Sequence, residues 1–268
     1  MVKKYVPTGK SVLLFSGGMD SVMQAELLNP DILLRIPMNE TYEEMEKKST
    51  EKVVAIMHWE DKYKSIDGVF NFKEMEVEEL MIIPNRNAYL LMKASEFGEK
   101  LYFSGVEGDT AKDKDATFFE LAEKLLNHMW LGHSWTETRT FTVSAPFHTI
   151  TKTELLAAFL AKQKNYGFTD WEALIPILSS YSCFIGKEKP CGVCKPCMRK
   201  AVALVNNGFN IYDENHGYDF FKGTYFQDDP LIGLEPLKEK FMTNNYRGRE
   251  AADTVLAYNK MLKLSPNF

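Results

Sequence analysis

Two stretches of this chain carry residue types that could do chemistry. The first is Ser16-Gly17-Gly18-Met19-Asp20-Ser21, directly after the apolar run that ends at Phe15. Paired glycines let backbone N–H groups turn toward an anion, because no Cβ blocks the approach. A helix starting just behind them would add its partial positive charge. Ser16 and Ser21 can donate hydroxyl hydrogen bonds to phosphate oxygens. Asp20 would repel a bare phosphate, so its presence implies Mg²⁺ between carboxylate and ligand. The stretch lacks both the Gly-Lys-Ser/Thr ending of a Walker A loop and the three spaced glycines of a dinucleotide fingerprint. A plain strand-to-helix turn also uses Gly and Ser, but the acid and second serine favour a ligand.

The second stretch holds Cys183, Cys191, Cys194 and Cys197, the only four cysteines of the chain. Two-residue gaps within the last three let thiolates point at one centre, and Gly192 and Pro196 suit the turns between them. Four thiolates make a closed, structural Zn²⁺ site rather than a catalytic one; an iron–sulfur cluster is the rival reading. Such clustering argues against a disulfide framework and for a reducing, cytoplasmic setting. Metal binding would then contribute to folding itself.

The elements around these stretches follow from periodicity. Strands are predicted over Ser11–Phe15, Asp31–Ile36, Leu80–Ile83, Leu101–Ser104 and Thr140–Val143. Helices are predicted over Ser21–Leu28, from a Thr41/Glu44 capping box to about His58, over Ala88–Phe97 with Gly98 closing it, and over Thr117–Leu131. In the last of these Phe118, Leu121 and Leu125 read as the core stripe. Two more capping boxes, Thr151/Glu154 and Thr169/Glu172, open later helices. Residues 59–78 give no clear signal. Alternation of strand and helix predicts an α/β fold, an open and mostly parallel sheet with helices on both faces. Ligands of such sheets sit beyond the carboxyl ends of the strands. Ser16–Ser21, Asn85–Asn87 and Gly105–Asp109 all follow predicted strands and should converge on one crevice.

The 268 residues are 45% hydrophobic and 26% charged, with a net charge of −5. That is ordinary for a globular chain and does not favour a general nucleic-acid-binding surface. No apolar stretch is long enough for a transmembrane helix, and no secretory signal is read, so no membrane association is expected. Residues 1–206 read as one α/β domain. Residues 207–268, richer in Asn, Asp, Tyr and Phe, read as an extension packed on the core, helical near Ala251–Leu262.

The Ser16–Ser21 stretch resembles the signature of the PP-loop ATP pyrophosphatases, which split ATP between the α and β phosphates. Together with the cysteine cluster it resembles the 7-cyano-7-deazaguanine synthase family over about residues 10–205. Ile83-Pro84-Asn85-Arg86-Asn87, Ala145-Pro146-Phe147 with Lys152, and the Cys183–Cys197 motif carry the rest of the likeness. The resemblance implies a Rossmann-like, adenine nucleotide alpha hydrolase-like fold and a homodimer. It implies that 7-carboxy-7-deazaguanine is adenylated, converted by ammonia to an amide, and then dehydrated to a nitrile. It implies that Phe15, Ser16, Gly17, Gly18, Asp20 and Ser21 bind ATP with Mg²⁺, and that Asp20, Arg86 and Lys152 serve catalysis. Arg86, Asn87, Glu107, Asp109 and Asp115 would bind the deazaguanine, the carboxylates accepting from its N–H groups. Lys152 sits at a helix start, unfavourable for a cation unless an anion is near.

The chain departs from the family pattern after the fourth strand, where Gly105-Val106-Glu107-Gly108-Asp109 leads into Lys112–Ala116 without the family's Tyr-Pro pair and final cysteine. A member that stops at the amide is therefore one alternative. Another PP-loop ligase or a tRNA-modifying thiolase is a second, although a thiolase would want a cysteine pair outside the metal cluster. A non-catalytic binding module on a nucleotide fold is a third.

Overall fold

The computed structural model describes residues 4–39, 41–66, 71–75, 77, 83–109, 111–188, 190–191, 194–209 and 249–264. Five strands form one sheet: β1 (Ser11–Leu14), β2 (Ile32–Arg35), β3 (Tyr63–Ser65), β4 (Lys100–Tyr102) and β5 (Thr142–Ser144). Their spatial order is β3-β2-β1-β4-β5, and every neighbouring pair is parallel. The chain winds outward from β1 in one direction, then returns to β1's other side through β4. The switch point of the sheet therefore lies between β1 and β4, where open parallel sheets bind ligands.

Both faces of the sheet are covered, which is why its strands read as continuous apolar runs. On β1, Val12 and Leu13 are fully buried but belong to opposite cores. Leu13 and Leu33 face one core built on α1 (Met19–Leu28), α5 (Lys152–Asn165), α6 (Asp170–Ser179) and α7 (Lys195–Asn206). The end of α2 (Glu43–Met57) joins them through Val53 and Val54. Val12, Ile32 and Leu34 face the other core, against α3 (Arg86–Ala94) and α4 (Ala116–Met129). Full burial of each such aliphatic side chain contributes about 1.5–3 kcal/mol. The C-terminal helix α8 (Arg249–Leu264) packs on α7 and brings Ala257 into the first core.

Several local expectations are corrected. The N-cap of α2 is Tyr42, and no side chain caps it, so the Thr41/Glu44 box does not form. Glu43 instead pairs with the buried Arg35 and accepts from Met38 N at 3.1 Å. β3 lies inside the stretch that gave no signal; it is a three-residue edge strand, too short for a period. α3 ends at Ala94, not Phe97. Gly98 is needed for another reason: a Cβ there would lie 2.5 Å from Lys10 O, so glycine permits the backbone to pass that close. Leu121 and Leu125 are not core residues but 60% and 50% exposed. The buried stripe of α4 is Phe119, Ala122 and Leu126, displaced by one position. The boxes Thr151/Glu154 and Thr169/Glu172 both form with reciprocal bonds. The expected strand Leu80–Ile83 lies outside the described residues but for Ile83, as does most of the 207–268 stretch.

Candidate functional site

The loop after β1 is shaped by its second neighbour in space, α2. Gly17 has φ +72°, and a Cβ on it would lie 2.1 Å from Thr50 Oγ1. Both the left-handed backbone and the contact require glycine. Thr50 Oγ1 lies 3.0 Å from Ser16 O and 2.7 Å from Glu46 O, so one hydroxyl proton links the loop to α2. Gly18 is the N-cap of α1 and supplies no side-chain cap to the first-turn N–H groups, of which Met19 N–H meets Ser182 Oγ at 3.5 Å. Ser21 Oγ donates to Gly18 O at 2.9 Å and lies 3.4 Å from Ser16 Oγ. Ser16 is exposed, whereas Phe15 is buried, its N–H bonded to Leu34 O at 2.8 Å. Phe15 thus anchors the loop from below.

Asp20, in the first turn of α1, meets Lys152, in the first turn of α5, at 3.0 Å between Oδ2 and Nζ. These residues are far apart in sequence, and packing of α1 on α5 joins them. The conflict of a cation at a helix N-terminus is met here by Asp20. The other oxygen, Asp20 Oδ1, is buried without a hydrogen-bond partner. A buried carboxylate oxygen with no partner is costly. Its chemistry suits a hard cation such as Mg²⁺, which takes one or two carboxylates and completes its shell with phosphate and water.

The residues expected after β4 are engaged among themselves. Glu107 accepts from Arg249 N and Nε, both at 2.9 Å, so it caps the start of α8. Arg249 also donates to Thr149 O and pairs with Glu154. Asp109 pairs with Arg199 at 2.8 Å and with Lys114 at 3.5 Å. Burial alone would raise its pKa, but Lys114, Arg199 and Lys152 together hold it well below the usual carboxylate range. Arg199 in turn pairs with Glu250 of α8 and donates to Glu107 O at 3.4 Å. Asp115 is the N-cap of α4, its carboxylate accepting from Phe118 N at 2.8 Å. That bond, the largest influence, lowers its pKa.

Asn87 is buried at the start of α3. Its backbone N–H donates to Asp113 Oδ2 at 3.3 Å and its side-chain amide to Asp113 O at 3.2 Å. Asn87 thereby holds the 112–114 turn against α3. Arg86 donates to Tyr42 Oη at 3.2 Å. Tyr42 stacks on Phe184, 5.6 Å between ring centroids, and belongs to the cluster that encloses the cysteines.

Cys183, Cys191, Cys194 and Cys197 converge, their four sulfurs all within 4.8 Å of one another. Cys194 Sγ lies 3.5 Å from Cys197 Sγ and 3.9 Å from Cys183 Sγ, and Cys191 Sγ lies 4.0 Å from Cys197 Sγ. Four sulfurs about 2.3 Å from one tetrahedral ion are about 3.8 Å apart, so the set fits a single ion. A cluster of several irons would interpose metal and sulfide between the thiolates and spread them further. Cys194 is the N-cap of α7 and Cys197 lies one turn on, with Pro196 in the first turn fixing the entry. Backbone N–H groups of Ile185 and Cys191 point at Cys183 Sγ, at 3.4 and 3.3 Å.

The cysteine centre also reaches the glycine loop after β1. Lys200, fully enclosed on α7, donates to Ser180 O at 2.8 Å and Ser180 Oγ at 3.1 Å. Burial pushes its pKa down to about 7, against Cys197 and with Lys152. Two residues along, Ser182 Oγ accepts from Met19 N at 3.5 Å, and Tyr181 O faces Gly18. Thr50, Arg199, Lys200 and Ser182 were not singled out from the sequence. No spacing rule marks them, since each acts across a tertiary contact.

The chain is 24% identical to a 7-cyano-7-deazaguanine synthase of Methanosarcina mazei over 237 residues, covering 74% of this chain and 95% of that one. A synthase of the same name from Hahella chejuensis is 30% identical over 136 residues, 47% of this chain and about half (50%) of that one. Among solved structures, the U34-tRNA thiolase NcsA from Methanococcus maripaludis with its [4Fe-4S] cluster aligns with 98% of this chain and 74% of its own. Its TM-score of 0.36 and identity of 15% are too slight to argue from. Residues 61–208 match the family model of the queuosine biosynthesis protein QueC, more than half of the chain, and the chain belongs to that family.

Proposed function

We propose that this chain is an ATP-dependent, carbon–nitrogen bond-forming ligase of 7-deazaguanine synthesis. It takes 7-carboxy-7-deazaguanine and ammonia to 7-cyano-7-deazaguanine. The observation that carries the reading is the Asp20–Lys152 pair beside a glycine loop, with Asp20 Oδ1 buried and unpartnered. Asp20 would hold Mg²⁺, which offsets phosphate charge when bound. Gly17, Gly18 and the first N–H groups of α1 would receive the pyrophosphate, with Ser16 and Ser21 donating hydroxyls.

The reaction needs an oxygen turned into a leaving group twice. In the first round a carboxylate oxygen attacks the α-phosphorus, pyrophosphate leaves, and ammonia displaces AMP to give the amide. In the second round the amide oxygen attacks, pyrophosphate leaves again, and loss of AMP together with both amide N–H protons forms the nitrile. Lys152, paired with Asp20, would neutralise charge on the α-phosphate, a transition-state role typically worth about 100-fold or more. Arg86, which donates to Tyr42 Oη, would face the substrate carboxylate. The sulfur spacing supports Zn²⁺ in the cysteine site, structural in role, because a four-thiolate shell leaves no position for water.

The first experiment combines product mass spectrometry and metal analysis of the purified chain with ATP, Mg²⁺, ammonia and the deazaguanine acid. Nitrile, AMP and one zinc per chain are expected. Amide alone would identify a member that stops after the first round. Failure to consume the acid with zinc in place would remove the substrate assignment, and iron in place of zinc would remove the metal assignment.

A further inference from the structure

Arg249, at the start of α8, has a side chain that is 52% exposed, yet each of its nitrogens is engaged. Its backbone N–H and Nε donate to Glu107 at 2.9 Å, and Nη1 pairs with Glu154. Nη2 donates to Thr149 O and lies 2.9 Å from Glu107 Oε2. An exposed ion pair adds little stability, but a planar guanidinium that bridges several segments fixes their geometry. Two of its partners flank Lys152. Glu154 closes the capping box of α5 with Oε2 on Thr151 N at 2.9 Å, and its other oxygen goes to Arg249. In α6 the equivalent box is closed on itself, Glu172 Oε2 taking both the N–H and the hydroxyl of Thr169, at 2.9 and 2.7 Å. The α5 box is instead tied to a helix 95 residues away in sequence.

The lead-in to α5 is fixed as well. Glu107 N–H donates to Ile150 O at 2.8 Å, and Asn207 donates to Thr153 O at 3.1 Å from α7's side. Lys152 stands in the middle, buried, with Nζ on Asp20. A cation in the first turn of a helix opposes the helix dipole, and a lysine ammonium rides on a flexible four-carbon stem. It stays in one place only if the backbone that carries it is fixed. We propose that Arg249 is a positioning residue: it fixes the first turn of α5 so that the Lys152 ammonium is held against Asp20. α8 lies beyond the stretch that matches the family model, so here a C-terminal helix supports the site from outside that stretch. The kinetic consequences rest on the ligase reading above; the placement of Lys152 does not.

The test uses the full chain and has two arms. In the first, amines are acylated with acetic anhydride, without substrate, and read by peptide mass spectrometry. In the wild type Lys152 should label far more slowly than the exposed Lys112. In Arg249→Ala its labelling should rise several-fold while Lys200, fully enclosed on α7, stays protected. Glu154→Gln, which can still cap Thr151 N but loses the charge that holds Arg249, should do the same. Unchanged labelling of Lys152 in both variants, or a rise at Lys152 and Lys200 alike, would overturn the proposal. In the second arm, Arg249→Ala should lower kcat roughly tenfold or more with little change in KM for ATP. In a Lys152→Ala background it should have no further effect on kcat, because it acts through Lys152; an equal loss in both backgrounds would overturn the proposal. A wild type that does not turn over the acid would remove the ligase reading, and the labelling arm would then decide the positioning by itself.

Discussion

The loops after β1 and β4 emerge side by side from the centre of the sheet, and both carry acids, yet their states differ. After β1, Asp20 has one oxygen on Lys152 and the other buried with no partner. After β4, Glu107 and Asp109 are held by Arg249, Arg199 and Lys114. The first loop leaves one buried carboxylate oxygen without a hydrogen-bond partner. The second is closed by cations from α4's approach, α7 and α8, and so acts as a clasp for the C-terminal helix. A carboxylate at a strand end therefore says where a site can be; what separates the two loops is the unpartnered oxygen of Asp20.

The sharpest way to break this comparison is at Asp20. Asp20→Asn should lower AMP formation by about 100-fold or more, and should lower Tm as well because it leaves the buried Lys152 without its counter-charge. Retained activity would mean that the unpartnered oxygen has no part in binding. Gly17→Ala comes next. It forces about 1–2 kcal/mol of left-handed backbone strain and drives a Cβ into Thr50, so both Tm and ATP affinity should fall; Thr50→Ser alongside it should not rescue, since Thr50 Cα itself lies 2.8 Å away.

Glu107→Gln is expected to lower Tm by a few degrees through the lost Arg249 contacts while changing KM for the deazaguanine acid less than about threefold. A tenfold rise in KM at unchanged Tm would show that Glu107 serves substrate after all. Asp109 gives a pH signature. Its folded pKa is depressed, so its stabilising contribution is complete above its unfolded pKa of about 4 and is lost as pH falls below that value. The Tm difference between wild type and Asp109→Asn should therefore be constant near neutrality and shrink below about pH 4. The smallest effect is at Asp115: Ala should cost about 1 kcal/mol and Ser very little, as for an N-cap. Loss of turnover with Ser would point to substrate instead.

Much of the site was legible because its signals are local. Gly-Gly with an acid and a serine, Cys gaps of two, and Thr-x-x-Glu boxes each act within a few residues, and the structure forms the boxes and gathers the cysteines. Leu121 and Leu125 were misread because a helix period identifies a stripe but not which of two neighbouring stripes faces inward. β3 escaped because three residues at a sheet edge carry no period.

By itself the sequence determined the alternating strands and helices, the glycine turn between the first strand and helix, and the thiolate set, since backbone freedom, capping and ligand chemistry are properties of short segments. Only the tertiary structure decided that Lys152 meets Asp20, that Thr50 makes Gly17 obligatory, and that α8 closes over Glu107 and Asp109. Those pairings join residues 33 to 142 positions apart. They depend on which helix packs against which face of the sheet, and no spacing along the chain encodes that.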